Sequence, residues 1–263
     1  MKSSVLMKAV SYLAPNWLDY YQTIAQAIGR SLRCEVEFRA CDRDPLEDLQ
    51  AVDLAFICGL PFIRYCRIAP ERLIAIAAPV MQAERYQSRP IYFSDMVVRA
   101  DRSFQTFSDL AGTVVCYNDP GSNSGYYLLR HRLIKEHCSS HFFKNAIQSG
   151  SHQRSIRWVI EGKADCAAID STVLEQELRI HPELAHQIQI VESSPPCPMP
   201  PIVIAQQFGQ IDQVRSVLLH PDAELQAAMA RMKVDRYEIV NTRDYDAIAQ
   251  LYDEVIHSPF SQL

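Results

Sequence analysis

The sequence predicts an α/β protein built as two lobes. Short apolar runs of strand length alternate with longer stripes of helical period, the signature of that class. A long strand candidate at 91–99 and the densest proline cluster, 193–201, bracket a middle of about a hundred residues, a normal domain size. The total of 263 residues allows one large domain or two compact ones. Two crossing segments of this kind form a double hinge, and the cleft between the lobes becomes the expected ligand site. The expected division is 1–95 plus 195–263 for a lobe made of both termini, with 96–194 inserted as the second.

The elements follow in order. Residues 8–13 read as a first strand, and 19–32 as a helix with Tyr20, Ile24, Ala27, Ile28 and Leu32 on one face. Residues 34–39 alternate as a second strand. Residues 53–58 and 73–77 are continuous apolar strands, the former ended by Gly59-Leu60-Pro61. After the long strand 91–99, residues 113–117 form a buried strand leading to the loop Asn118-Asp119-Pro120-Gly121. A helix starts near Ser122 and runs to about His137, with Leu129, Leu133 and Ile134 inward. Residues 142–148 are a strand, and 156–161 a helix stopped by Gly162 at its C′ position. Residues 164–169 form a short buried strand, 171–178 a helix and 188–191 a strand. Residues 202–206 resume a strand after the prolines, followed by helices at 210–219, 223–232 and 245–256.

Composition narrows the function. Twenty-six Lys and Arg against 31 Asp and Glu give a net charge of −5, so nothing attracts nucleic acid or an anionic membrane globally. Any anionic ligand needs a local site. No apolar run reaches the roughly 18–20 residues that span a bilayer. Lys8 interrupts any apolar segment behind the positive N-terminus, so no export signal is read. The expected location is cytoplasmic as read, or periplasmic for a chain whose signal peptide has been removed. Eight cysteines contain no C-x-x-C pair and read as small hydrophobes rather than a disulfide framework.

Three strand-to-helix junctions carry candidate chemistry. Residues 119–126 (Asp-Pro-Gly-Ser-Asn-Ser-Gly-Tyr) place hydroxyl and amide side chains at a helix start, where free backbone N–H groups make an oxyanion cradle. The same residues also suit an ordinary N-cap after a Pro-Gly turn. Tyr126 stands where a P-loop needs Lys, and Asn123 where a nucleophile elbow needs Ser, so both enzyme motifs fail. Gly150-Ser151-His152 is the second junction: His152 can donate to an anion, or Ser151 can cap the helix with His152 in solvent. Asp170 ends a buried strand at the edge where α/β sheets place ligands, and is equally suited to cap the next helix. His137, Cys138 and His141 lack a fourth ligand and read as a helix end. Arg130-His131-Arg132 with Lys135 reads as a solvated basic face. Tyr20-Tyr21 and Tyr126-Tyr127 each place one ring in a core. No metal, cofactor or catalytic residue is assigned.

Together these pieces resemble a known family. Residues 107–115 (Phe-Ser-Asp-Leu-Ala-Gly-Thr-Val-Val) resemble the entry to the second lobe of type II periplasmic binding proteins. Residues 120–126, then 150–152, then 162–170 (Gly-Lys-Ala-Asp-Cys-Ala-Ala-Ile-Asp) follow in the order of the phosphonate/phosphite-type substrate-binding components of ABC transporters, and 53–62 matches the first-lobe strand and loop. The resemblance covers most of residues 5–205. It implies that Ser122, Asn123 and Ser124 cradle an oxyanion, that His152 is a further donor, and that Asp170 accepts from a protonated ligand oxygen or amine. Tyr92, on the hinge strand, would cover the ligand from the first lobe. Asn123 departs from the Ser-Thr-Ser version of the cradle. The expected function is a solute-binding protein that closes two lobes on a small anionic, phosphonate-like ligand, with an ABC permease or a sensor protein as partner. The alternative is a cytoplasmic enzyme on the same scaffold, similar to those of menaquinone or thiamine-precursor biosynthesis, using His152 and Asp170 as an acid–base pair.

Overall fold

The computed structural model describes residues 6–41, 44–138, 141–258 and 263. The first segment runs β1 (Leu6–Ser11), α1 (Leu18–Leu32), β2 (Glu35–Ala40), α2 (Pro45–Asp48), β3 (Leu54–Phe56), α3 (Gly59–Ile68) and β4 (Leu73–Met81). Then come β5 (Ile91–Tyr92), β6 (Ser94–Arg99), β7 (Val114–Tyr117), α4 (Leu128–Lys135), β8 (Asn145–Gln148), α5 (His152–Ile160), β9 (Cys166–Asp170), α6 (Ser171–Ile180) and β10 (Ile188–Ser193). The last stretch holds β11 (Cys197–Pro198), β12 (Ile202–Ala205), α7 (Ile211–Leu219), α8 (Ala223–Met232), β13 (Val234–Glu238) and α9 (Asp246–Ile256).

The chain divides into two compact units, Met1–Ile91 with Pro198–Asp246, and Tyr92–Cys197 with Ala247–Leu263. The boundaries between them fall at Ile91/Tyr92, Cys197/Pro198 and Asp246/Ala247. The third differs from the expectation that both termini share a lobe, because α9 belongs to the second unit. The reason is specific packing: Glu254 pairs with His131 at 3.1 Å and with Lys135 at 2.9 Å, and Tyr252 packs on Tyr127 with ring centroids 5.1 Å apart.

In the first unit a six-stranded sheet has the order β13-β4-β12-β3-β1-β2. β1 is parallel to β2 and β3, whereas β12 is antiparallel to β3 and β4. The inward stripe of α1 is as expected, with Tyr20, Ile24, Ala27 and Ile28 buried. The sequence reading has no element for α2, α3 or β13, and it ends β4 at Ala77. α3 begins at Gly59-Leu60-Pro61, which read as a stop, because proline is tolerated in a first helical turn. β4 continues through Pro79, since its ladder to β12 ends at Ala77 and β13 alone pairs beyond it.

The second unit holds a five-stranded sheet of order β10-β6-β9-β7-β8. β7 runs parallel to β8 and β9, and β6 is antiparallel to β9 and β10. Side-chain alternation sends Met96, Val98, Val115, Cys166 and Ala168 to the face that packs Leu129 and Leu133 of α4. It sends Val97, Cys116, Ala167 and Ile169 to the face under Ile156, Val159 and Leu174. Both faces are covered, which is why these strands read as unbroken apolar runs. The strand expected over 91–99 is split at Phe93 into β5 and β6. Gly162 takes the left-handed φ of 73° just past α5, as a C′ residue does. All eight cysteines are free thiols, with Cys116, Cys166 and Cys197 buried.

Candidate functional site

Three parallel strands of the second unit end at helix starts on the same sheet edge. β7 leads to a helical turn at Asn123–Tyr127, β8 to α5 and β9 to α6. The carboxyl edge of such a sheet gathers helix N-termini, their unpaired N–H groups and their positive dipole ends.

The turn at Asn123–Tyr127 is π-helical, and α4 continues it. Tyr127 N–H donates to the Ser122 carbonyl at 3.0 Å, five residues back. Such wide turns recur at functional sites. Ser122 has an extended backbone and its Oγ accepts from Gly125 N–H at 3.0 Å, so it is the N-cap. Ser122 is thus the N-cap that one reading of this loop expects, and because it caps as an acceptor its hydroxyl proton remains available. Ser122, Asn123 and Ser124 are all buried, Asn123 completely.

The neighbouring elements lock this turn. Asn123 Nδ2 donates to the Tyr92 hydroxyl at 2.8 Å. Ser94 Oγ donates to the Ser124 carbonyl at 2.8 Å, tying the turn to β6. Ser124 Oγ and His152 Nε2 lie 3.2 Å apart, and the imidazole tautomer decides which of them donates. Three buried polar atoms here have no hydrogen-bond partner among the described residues: Asn118 Oδ1, Asn123 Oδ1 and His152 Nδ1. Unpaired buried polar atoms are rare and mark places where a ligand or water completes the network.

Ser151 caps α5 by accepting from Arg154 N–H at 3.1 Å, and His152 is nonetheless buried rather than solvated. Burial pushes its imidazole down to about 4, so it is neutral at physiological pH. Asp170 is the N-cap of α6, its Oδ1 accepting from Thr172 N–H at 2.8 Å and from Thr172 Oγ1 at 2.7 Å. Burial raises its carboxyl to about 6, against the lowering effect of those hydrogen bonds, and the nearby Asp95 carboxylate adds to the rise.

These two shifts have opposite consequences for stability. Asp170 binds its proton more tightly when folded, so its contribution is full below the ordinary 3.8 and is lost as pH rises through about 6. His152 binds its proton less tightly when folded, so its contribution is full above 6.5 and is lost as pH falls through about 4. Asp170→Asn keeps the capping oxygen and removes the buried charge. We expect it to unfold at higher denaturant concentration than wild type at pH 8, with the difference vanishing at pH 4. Equal midpoints at both pH values would refute a raised Asp170 carboxyl.

All six residues implied by the resemblance lie in the second unit. Tyr92, Asn123, Ser124 and His152 are linked directly by hydrogen bonds. Asp170 joins them through β6, where it pairs in register with Ser94. Tyr92 falls just after the first crossing and bonds Asn123, which differs from its implied place in the first lobe. His152 and Asp170 have separate partners. Sequence reasoning missed Ser94, Asn118 and Gly125. The first was hidden in a strand and the second in a loop, while Gly125 matters through space alone: a Cβ there would meet Asn118 Oδ1 at 1.9 Å and His152 Cε1 at 3.2 Å. The basic helix face is also more than a solvated surface. Arg130 is buried, with its guanidinium 5.6 Å from the Tyr126 ring centroid and 5.9 Å from that of Tyr127.

Residues 15–245 match the family described as ABC transporter, phosphonate, periplasmic substrate-binding protein. No curated protein sequence matches the chain. Among solved structures the chain is similar to PhnD1 from Prochlorococcus marinus in complex with methylphosphonate, with a TM-score of 0.83 and 17% identity, covering 96% of this chain and 99% of that one. It is also similar to a binding-protein component of an ABC phosphonate transporter from Pseudomonas aeruginosa, with a TM-score of 0.82, 16% identity and coverage of 97% and 87%. The periplasmic aliphatic sulphonate binding protein SsuA from Escherichia coli is more distant, with a TM-score of 0.60, 14% identity and coverage of 98% and 94%. At these identities the structural matches establish the fold, the α/β type II periplasmic-binding-protein class that the sequence predicts. Among the described residues no helix is long and apolar enough to cross a membrane. Of the two locations open from the sequence, the family description supports the periplasmic one.

Proposed function

This chain belongs to the family of phosphonate-type periplasmic substrate-binding proteins of ABC transporters, and we propose that it captures a small phosphonate-like oxyanion at residues 122–124 for delivery to an ABC permease. One observation carries the reading. The buried hydroxyls of Ser122 and Ser124 sit at a helix start among buried polar atoms that lack partners. In this reading Ser122 and Ser124 donate through hydroxyls, and the first N–H groups of the turn through the backbone. His152 Nε2–H donates to Ser124 Oγ, which leaves the Ser124 hydroxyl proton for the ligand, Tyr92 fixes Asn123, and Asp170 accepts a ligand proton. The methylphosphonate held by the Prochlorococcus neighbour is consistent with a tetrahedral oxyanion here.

The enzymatic alternative gains nothing from the geometry. Its acid–base pair would be His152 and Asp170, yet the first is engaged by Ser124 and the second by the start of α6. A thermal-shift screen of methylphosphonate, phosphite, phosphate, sulfate and methanesulfonate, with native mass spectrometry of the unsupplemented protein, tests the proposal. A rise in Tm with at least one phosphorus oxyanion, and no turnover of it, is the expected result. No shift with any of the five would overturn it.

A further inference from the structure

A π-helical turn is a rare form, and the contacts around it must favour it over an ordinary helix. Here the Ser122 carbonyl accepts from the residue five on, at 3.0 Å, where an α-helix uses the residue four on. The start of the turn is held by Tyr92, Ser94 and His152. Its other end, Tyr126 and Tyr127, has different neighbours. The Arg130 guanidinium lies over both rings, 5.6 Å from the Tyr126 centroid and 5.9 Å from that of Tyr127. Tyr252 of α9 packs on the Tyr127 ring, with centroids 5.1 Å apart and planes inclined at 45°.

Arg130 also reaches α9. Its Nη2 lies 3.5 Å from the carbonyl of Val255, a completely buried residue in the last turn of that helix. The end of a helix presents carbonyls and a negative dipole end, so a buried cation is favoured there. Glu254 pairs with His131 and Lys135 nearby, but such exposed ion pairs contribute little. The ring contact and the Arg130 bridge carry the attachment. α9 comes to this place from the first unit. It runs on from Tyr245, whose hydroxyl donates to the Met199 carbonyl at 2.8 Å and whose ring meets that of Phe62 at 5.7 Å.

Narrowing the turn to the α pattern would rotate its start against its end by about 100°, the angle of one helical residue. Either Ser122–Ser124 would then leave their partners on β6 and α5, or Tyr127 and Arg130 would leave theirs on α9. Holding both ends at once keeps the turn wide.

We propose that α9 is a positioning element of the cradle: Tyr252, through Tyr127, and the C-terminal carbonyls of α9, through Arg130, hold the turn in the form that presents Ser122, Asn123 and Ser124 to the ligand. Tyr252 acts through Tyr127 rather than on the ligand, and the proposal rests on the oxyanion-cradle reading above.

Calorimetric titration of the whole protein tests this, with whichever of the five screened oxyanions raises Tm most and at a temperature well below the Tm of every variant. Tyr252→Ala should weaken binding about three- to tenfold, the size of one aromatic pair contact. Tyr252→Phe keeps the ring and should stay within about twofold of wild type. Leu218→Ala, a cavity in the buried face of α7 in the first unit, is the control for stability alone. It should lower Tm at least as much as Tyr252→Ala and leave affinity unchanged. In the ligand-free protein the Ser124 and Gly125 amide resonances should move in Tyr252→Ala and hold in the other two variants. Affinity within about twofold of wild type in Tyr252→Ala, a loss shared by Tyr252→Phe or Leu218→Ala, or resonances that stay in place would overturn the proposal while leaving the cradle intact. A wild type that binds none of the five oxyanions at millimolar concentration would overturn the cradle reading, and this proposal with it.

Discussion

Replacing Ser122 and Ser124 together by alanine should weaken oxyanion binding by about two to four powers of ten. In the proposed cradle each hydroxyl would donate a hydrogen bond to a charged ligand in a buried site, and such bonds contribute about 1.5–3 kcal/mol each. The backbone donors at the start of the turn survive, so some affinity should remain. The two positions also separate binding from stability. Ser122 Oγ caps the turn through Gly125 N–H, so its loss should destabilise the protein by about 1 kcal/mol. Among the described residues Ser124 Oγ bonds only His152, so Ser124→Ala should lower affinity with little change in Tm. Unchanged affinity in the double variant, measured by calorimetry with the oxyanion that binds wild type, would reduce Ser122 to an ordinary helix cap.

Gly125→Ala should abolish detectable binding while the protein still folds. The added Cβ would lie 1.9 Å from Asn118 Oδ1, far inside van der Waals contact, so the Asn118 side chain must leave its place. It would also crowd His152 Cε1 at 3.2 Å, pressing on the imidazole that engages Ser124. Overpacking of this kind costs about 1–3 kcal/mol of stability, which a domain of this size tolerates. The loss of binding should be larger, because the turn that presents both serines and the His152 contact move together. Circular dichroism close to wild type, with no heat of binding, is the expected result. Affinity within about threefold of wild type would show that the turn relaxes freely and that its geometry is not what holds the ligand.

How much of this was legible in the sequence depends on whether the signal is local. The helix start at Ser122 and the cap at Ser151 follow from strand-to-helix junctions written as Pro-Gly-Ser and Gly-Ser-His, but the π-helical form of the Asn123–Tyr127 turn had no sequence signal and the helix expected over 156–161 begins at His152. The exchange between chemistry and capping at Asp170 was also visible as two options, and the carboxylate takes the capping one through Oδ1. Contacts distant in sequence were not legible. Nothing near Ser94 signals that its hydroxyl will hold the Ser124 carbonyl 30 residues on. Nothing in α9 signals that Glu254, Tyr252 and the Val255 carbonyl will be claimed by α4, which moves the C-terminus from the expected lobe to the other unit. Pro79 and Pro61 misled for the opposite reason. A rule about proline is a rule about one missing N–H: Pro61 sits in the first turn of α3, where that N–H has no intrahelical partner, and Pro79 sits beyond the end of the ladder to β12.

The central claim is that residues 122–124 hold an oxyanion, and its most direct measurement is a crystal structure grown with the phosphorus oxyanion that raises Tm most in the screen. The account predicts ligand oxygens within about 3 Å of the Ser122 and Ser124 hydroxyls. An oxyanion bound elsewhere on the protein, with those two hydroxyls free of it, would contradict the account.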